Sequence, residues 1–125
     1  MTFVLPRGCA QPWHASRPSH APGRTVILEL ADIRIAPGRN AEFEAAIRRG
    51  AETVISQAAG FRGYKVNRGV ESAERYILMI YWETLENHTV DFRQGPLFPQ
   101  WRAIVGPFFA QPPVVEHFVL VGKSD

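Results

Sequence analysis

The sequence predicts a single α+β domain in which helices cover one face of a small antiparallel sheet. A length of 125 residues allows one compact domain. Four segments rich in β-branched and aromatic residues alternate with segments of helical periodicity, and Gly- and Pro-containing turns separate them. No stretch approaches the roughly 18 consecutive apolar residues of a membrane-spanning helix. We therefore expect a cytoplasmic protein without a membrane partner.

Residues 1–24 are predicted to lie outside the domain as an extended or disordered tail, because four prolines in this segment break helices and remove sheet donors. The tail carries three arginines and no acidic residue, whereas the remaining chain has eleven Lys or Arg and twelve Asp or Glu. The domain is therefore not basic, and we expect no nucleic-acid binding. The single cysteine, Cys9, excludes an intramolecular disulfide and a cysteine-based zinc site.

The first half of the domain predicts a strand, a helix and a second strand. Residues 25–35 are rich in β-branched side chains and end at a Pro-Gly turn. From residue 40 to about residue 57, apolar side chains recur at spacings of three and four, which predicts an amphipathic helix that ends before Gly60. Residues 61–68 follow as a strand with Tyr64 on its apolar face.

The second half begins with a strand over residues 75–83 that is apolar on both faces, so neither face is expected to meet bulk water. Thr84 is expected to begin a short helix with Leu85, His88 and Phe92 on its inner side. A further helix follows from the Gly-Pro pair at 95–96 to Val105, and its prolines fall in the first turn, where they are tolerated.

Residues 114–121 complete the domain as a fourth strand, after a Pro-Pro pair. The order β-α-β-β-α-α-β is that of a ferredoxin-like fold with a four-stranded antiparallel sheet. Its helices cover only one face, yet the strands are apolar on both. A second copy of the chain would bury the other face, so we predict a homodimer.

Five short motifs occur in order along the domain. They are Ile-Ala-Pro-Gly-Arg-Asn-Ala-Glu-Phe at 35–43, Gly-Phe-Arg-Gly-Tyr at 60–64, Tyr-Trp-Glu-Thr-Leu-Glu-Asn-His at 81–88, Phe-Pro-Gln-Trp at 98–101 and Val-Glu-His-Phe at 115–118. In this set the chain closely resembles the antibiotic biosynthesis monooxygenase (ABM) domain family. The resemblance implies a dimeric α+β barrel, with residues 25–125 as the ABM-like domain.

The resemblance also implies an activity. Family members that oxidise anthrones work without metal or flavin, because deprotonation makes the substrate electron-rich enough to reduce dioxygen directly. It thus implies a small aromatic, anthrone- or quinol-like substrate, dioxygen, and no cofactor. Of four pocket positions in such enzymes, Trp82 and Arg102 match, His88 replaces a Tyr, and Leu78 replaces an Asn.

Three side chains are the candidate catalytic residues. The indole N–H of Trp82 is suited to bind a carbonyl or phenolate oxygen, and Arg102 is suited to stabilise an enolate or superoxide. His88 lies on the apolar side of its helix, where an imidazole acts as a base or donor. Each has a structural alternative: a core tryptophan, a surface ion pair, and a histidine bonded to a backbone carbonyl.

Further residues are predicted to line the substrate pocket. They are Leu78, Phe92, Phe98, Trp101, His117 and Tyr64. His117 either completes a polar pair with His88 or bonds within the dimer interface. A metal on the two histidines would need Asp91 or Glu83 as a carboxylate ligand, and we predict no metal.

The sequence leaves two alternatives to oxygenation. Haem-degrading relatives are similar to this chain but carry an Asn and a haem-ligating His where Ala31 and Phe92 stand, which argues against haem, although His88 lies one turn before the second position. The other alternative is a non-catalytic small-ligand-binding or stress-associated dimer. The apolar Leu78 favours that alternative, and His88 on the buried side of its helix favours catalysis.

Overall fold

The computed structural model describes residues 26–125, so the expectations for residues 1–24 and for Cys9 concern a part of the chain outside this range. Strands and helices follow one another in the predicted order. The strands are β1 (Ile27–Arg34), β2 (Phe61–Arg68), β3 (Arg75–Trp82) and β4 (Val114–Val119). The helices are α1 (Asn40–Thr53), a π-helix (Asn87–Phe92) and α2 (Leu97–Val105), with 3-10 turns at Ile55–Gln57 and Gly106–Phe108.

The four strands form one antiparallel sheet in the order β2-β3-β1-β4. The central strand β1 pairs with β3 along its whole length, and with β4 on its other side. In the second pairing Glu29 lies opposite His117, so both side chains point to the same face of the sheet. This is the ferredoxin-like α+β fold that the sequence predicts.

All the helices pack on one face of the sheet, which we call the covered face. Phe43 and Ile47 of α1 lie four residues apart and are fully buried against it. The ring centroid of Phe43 is 4.8 Å from that of Tyr76 on β3. The apolar stripe predicted for this helix therefore forms the core, although α1 ends at Thr53 and residues 55–57 form a separate 3-10 turn.

The opposite face carries no helix of the described residues and is also apolar, as the sequence predicts. Its central side chains are half-buried by one another rather than by a second layer. They are Leu28, Leu30, Ile77, Met79 and Tyr81, with the more exposed Phe118 of β4 beside them. We refer to this surface as the open face.

The short helix expected after Thr84 is a π-helix, and this changes which side chains it buries. The N–H of Arg93 donates to the carbonyl of His88, five residues earlier, which widens the turn. His88 and Phe92 are buried as expected, but Leu85 precedes the π-helix and is 39% exposed. The expectation that Leu85 lies on the inner side was wrong.

Asn87 packs against Gly60, which directly precedes β2. Its Oδ1 accepts from the N–H of Thr84 at 2.9 Å. A Cβ on Gly60 would lie 2.0 Å from the same Oδ1, and Gly60 has φ +83°, so no other residue fits there without strain.

Within residues 26–125, every helix is too short or too polar to cross a membrane.

Candidate functional site

A cavity of about 470 Å³ lies between the covered face and the helices. Its floor consists of side chains of β1, β3 and β4, and its walls come from the π-helix, α2 and the segment before β4. Most of the lining is aliphatic or aromatic, and the ionisable groups are Glu29, His88, His117, Arg93 and Arg102. An apolar cavity with a few convergent polar groups is typical of a small-molecule site.

Glu29 of β1 is the least expected residue in this cavity. It is only 6% exposed, and the indole Nε1 of Trp82 donates to its Oε1 at 2.9 Å. Burial raises the pKa of this carboxyl from 4.5 to about 7, and the Trp82 hydrogen bond and the charge of Arg93 offset part of the rise. Glu29 therefore changes protonation near neutral pH.

His88 of the π-helix connects Glu29 to the histidine on β4. Its imidazole is 2% exposed and stacks on the indole of Trp82, with ring centroids 5.5 Å apart and planes inclined by 17°. The Nε2 atom lies 3.4 Å from Oε1 of Glu29. Burial lowers the pKa of His88 to about 4, and the charges of Arg93 and His117 add to the effect. His88 is thus neutral at pH 7.

His117 of β4 completes a line of three ionisable side chains. Its Nε2 is 2.8 Å from Nδ1 of His88, so one of these two nitrogens donates a proton and the other accepts. His117 is half-buried on the cavity wall, and burial, with the charge of Arg93, lowers its pKa. All three members line the cavity, and the line runs from the buried Glu29 and His88 to the half-buried His117.

Most of the residues predicted for the pocket lie on the wall of this cavity. They are Leu78, His88, Phe92, Phe98, Trp101, Arg102 and His117. Gly50 of α1 helps to place Trp101, because a Cβ at that position would come within 2.8 Å of the indole ring. The seven side chains come from four different elements, so their proximity is a result of the tertiary fold.

Trp82 and Tyr64 do not line the cavity. Trp82 is fully buried, and its N–H, expected to bind a substrate oxygen, donates to Glu29 instead. The hydroxyl of Tyr64 donates to Oε2 of Glu52 at 2.8 Å, at the α1 side of the sheet. Trp82 therefore hydrogen-bonds Glu29 and stacks on His88, whereas the hydrogen bond of Tyr64 connects β2 to α1.

Two arginines stand at the cavity without a carboxylate partner in the part of the chain that the structure describes. Arg93 follows the π-helix, and its charge influences all three members of the buried line. The guanidinium of Arg102 lies 5.8 Å from the ring centroid of Phe98. Neither forms an ion pair with a described residue, so the surface ion pair considered for Arg102 is not present among these residues.

The carboxylates considered as metal ligands lie elsewhere. Glu83 pairs with Arg62, and Oδ2 of Asp91 accepts from Asn87 at 3.2 Å. Residues 26–125 contain no group of three or more His, Cys, Asp or Glu side chains arranged to hold a metal ion. In the Glu29–His88–His117 line, the two ring nitrogens of His88 face different partners, so the three groups do not converge on one point.

Glu29 and Arg93 line the cavity but are not among the site residues predicted from the sequence. The signal for Glu29 was available, because it has the same parity along β1 as the buried Ala31 and Ile33. A charged residue in phase with a buried apolar face is a candidate for a functional role. No comparable signal marks Arg93, whose position depends on the π-helix that precedes it.

The fold and the site place the chain among ferredoxin-like α+β domains that hold an apolar cavity beneath their helices. Within this class, residues 26–104 match the antibiotic biosynthesis monooxygenase family, and the chain belongs to that family. The uncharacterised protein YczJ of Bacillus subtilis (strain 168) is 36% identical over 93 residues, which is 74% of this chain and 97% of YczJ.

Two solved structures extend the comparison. A candidate antibiotic biosynthesis monooxygenase from Bordetella bronchiseptica is 42% identical to this chain and has a TM-score of 0.74. The structural match covers 78% of this chain and 98% of that one. SnoaB from Streptomyces nogalater, a cofactor-independent oxygenase, has a TM-score of 0.58 and 17% identity, and covers 81% of this chain and 96% of its own. The similarity to SnoaB extends to the fold alone.

Proposed function

We propose that this protein is a cofactor-independent monooxygenase that acts on a small aromatic, anthrone- or quinol-like substrate. The observation that carries the proposal is the hydrogen-bonded pair of His88 and His117 on the wall of an otherwise apolar cavity. Membership of the ABM family supports it, as does the fold shared with SnoaB, a cofactor-independent oxygenase.

The reaction needs a base, a site for an anion and a dry cavity. A proton leaves an activated CH₂ group of the substrate, and the resulting anion gives one electron to dioxygen. The substrate radical and superoxide then combine to a peroxide, R₂CH–O–O⁻, whose outer oxygen takes back the first proton. Loss of the second C–H proton then forms the C=O bond and breaks the O–O bond, and this proton converts the departing hydroxide to water. In total, R₂CH₂ and O₂ yield R₂C=O and H₂O, so the abstracted proton returns to the departing oxygen and no external reductant is consumed.

The cavity residues divide these tasks between them. His117 is the least buried of the three ionisable groups in the line, and its neutral imidazole accepts the substrate proton. Arg93 and Arg102 stabilise the enolate or phenolate, because both line the cavity and neither forms an ion pair with a described carboxylate. Phe98 and Trp101 supply the aromatic wall for a planar ring.

We further propose that two copies of the chain assemble through the open face. The central side chains of this face are apolar and lack a covering layer among the described residues. A second copy would remove them from water, which is the driving force for a symmetric dimer. Light scattering at micromolar concentration measures the mass; a monomer would overturn this part of the proposal.

Oxygen uptake tests the activity. The purified protein is mixed with a panel of anthrones and reduced quinones in the presence of a chelator, and uptake is compared with autoxidation. His117→Ala should lower the rate by about 10²-fold or more. Asp91→Asn is the matched control, since this exposed carboxylate of the π-helix faces away from the cavity. Equal uptake by the wild type and His117→Ala would disprove the role of His117.

A ligand-binding dimer without catalysis is the second candidate function. The orientation of Trp82, which does not line the cavity, favours this candidate. The indole donor that the resemblance assigns to substrate is bonded to Glu29, and Leu78 presents an apolar side chain to the cavity. This candidate predicts that an anthrone or quinol quenches the fluorescence of Trp101 while oxygen uptake stays at the autoxidation rate.

A further inference from the structure

We propose that Glu29 stores the substrate proton through the relay Glu29–His88–His117, and that its charge state decides whether His117 presents a lone pair or an N–H to the cavity. The catalytic part of this inference rests on the proposed function. The switch itself is a property of the ligand-free protein, and it is tested separately.

The geometry of the line supports a relay because each member contacts the next. Oε1 of Glu29 is 3.4 Å from Nε2 of His88, and Nδ1 of His88 is 2.8 Å from Nε2 of His117. Glu29 and His88 are both more than nine-tenths buried, so neither exchanges protons directly with bulk water. The 3.4 Å contact exceeds the roughly 2.6–3.2 Å of a proton-transferring bond, as is common before a ligand binds.

Two hydrogen-bonding patterns satisfy this line, and they differ by the proton on Glu29. When Glu29 is ionised, Nε2–H of His88 donates to Oε1, and Nε2–H of His117 donates to Nδ1 of His88. Nδ1 of His117 is then a lone pair, which acts as a base. When Glu29 is protonated, its O–H donates to Nε2 of His88, Nδ1–H of His88 donates to Nε2 of His117, and Nδ1 of His117 carries a hydrogen.

Proton uptake from substrate converts the first pattern into the second. The proton binds Nδ1 of His117, the Nε2 proton of His117 moves to Nδ1 of His88, and the Nε2 proton of His88 moves to Glu29. Both imidazoles end neutral with their tautomers exchanged, and Glu29 has gained one proton. The reverse sequence returns the proton to the peroxide oxygen, so the relay is restored after each turnover.

The surroundings favour storage of the proton on the carboxyl group rather than on an imidazole. The positive charge of Arg93 acts on all three members of the line, and Arg102 lines the same cavity from α2. The neighbours from β3 are Leu78, Ile80 and Trp82, and Ile55 approaches from the turn after α1; none of these titrates. Positive charge and burial both disfavour an imidazolium, whereas burial favours a neutral carboxylic acid.

Nitrogen NMR of the ligand-free protein tests the switch directly. Long-range proton–¹⁵N spectra distinguish the two neutral tautomers of a histidine from each other and from the imidazolium. Over a titration from about pH 5 to pH 9, His88 and His117 should exchange tautomers together with a midpoint at about 7. In Glu29→Gln the step should be absent, while Asp91→Asn should retain it. Unchanged tautomers in the wild type, or the same step in Glu29→Gln, would overturn the proposal.

Oxygen uptake against pH then separates the relay from the activity. The wild-type rate should rise with pH through a midpoint near 7, and Glu29→Gln should lose both this dependence and about 10²-fold in rate. If the tautomers switch but no substrate is oxidised, the proposed function fails and the switch stands. If Glu29→Gln oxidises substrate with the wild-type pH profile, the storage role fails and the function stands.

Discussion

The two ends of the covered face bury different kinds of side chain. At one end, Tyr76 packs against Phe43 of α1, and both are at most 1% exposed. At the other end, Glu29 and His88 are nearly as inaccessible, but a cavity of about 470 Å³ lies beside them. We call these regions the packed end and the cavity end.

The difference shows what each end contributes. Apolar side chains at the packed end gain free energy from burial, whereas an ionisable group at the cavity end loses hydration and responds with a shifted pKa. The same strands, β1 and β3, supply both ends. The free energy gained by burial at the packed end therefore offsets the cost of burying ionisable groups at the cavity end.

The largest expected effect is at the packed end. Phe43→Ala removes a fully buried ring and leaves a void between α1 and the sheet, so the free energy of unfolding should fall by about 4 kcal/mol. Urea denaturation measures the change. Val70→Ala, at a position that is 93% exposed, is the control and should change little. A loss below about 1 kcal/mol for Phe43→Ala would show that the two ends do not differ in this way.

Glu29→Gln should act in the opposite direction, and only above acidic pH. In the unfolded chain, Glu29 ionises with its ordinary pKa of 4.5. In the folded protein, burial raises this pKa to about 7, so the carboxyl group keeps its proton to a higher pH. The folded state thus binds more protons in this window, and stability falls as the pH rises through it. At pH 8 the variant should be more stable than the wild type by about 3 kcal/mol.

Urea denaturation at two pH values checks this prediction. Near pH 4.5, where Glu29 is protonated in the fold, the advantage of the variant should nearly vanish. Asp91→Asn serves as the comparison, because its carboxylate is exposed. A stabilisation that is equal at both pH values would mean that the gain comes from packing and not from ionisation.

Phe98→Ala should change stability less than Phe43→Ala or Glu29→Gln. Its ring is half-buried and already faces the cavity, so the substitution enlarges an existing space and should lower the free energy of unfolding by about 1 kcal/mol. Substrate binding should weaken, because the aromatic wall is lost. Urea denaturation and fluorescence titration measure the two quantities. A loss as large as that of Phe43→Ala would show that the cavity end is packed as tightly as the packed end.

Many residues of the cavity wall could be predicted from the sequence, but the directions in which some side chains point could not. Family resemblance and helical spacing pointed to His88, Phe98 and Trp101, and all three line the cavity. Trp82 was expected to face substrate, yet its N–H bonds Glu29. Leu85 was assigned to the inner side of a regular helix, and the π-helix leaves it exposed, since a widened turn has no signature in the spacing of apolar residues.

The sequence by itself determined the order of the elements, the apolar stripe of α1 and the two apolar faces of β3, because these depend on periods of a few residues. Only the tertiary structure decided that Glu29, His88 and His117 form one line. Glu29 and Trp82 are 53 positions apart in the chain, and their contact follows from strand register and helix packing. The protonation of Glu29 was decided at the same stage, because a pKa depends on the water and charges that the fold removes or brings near.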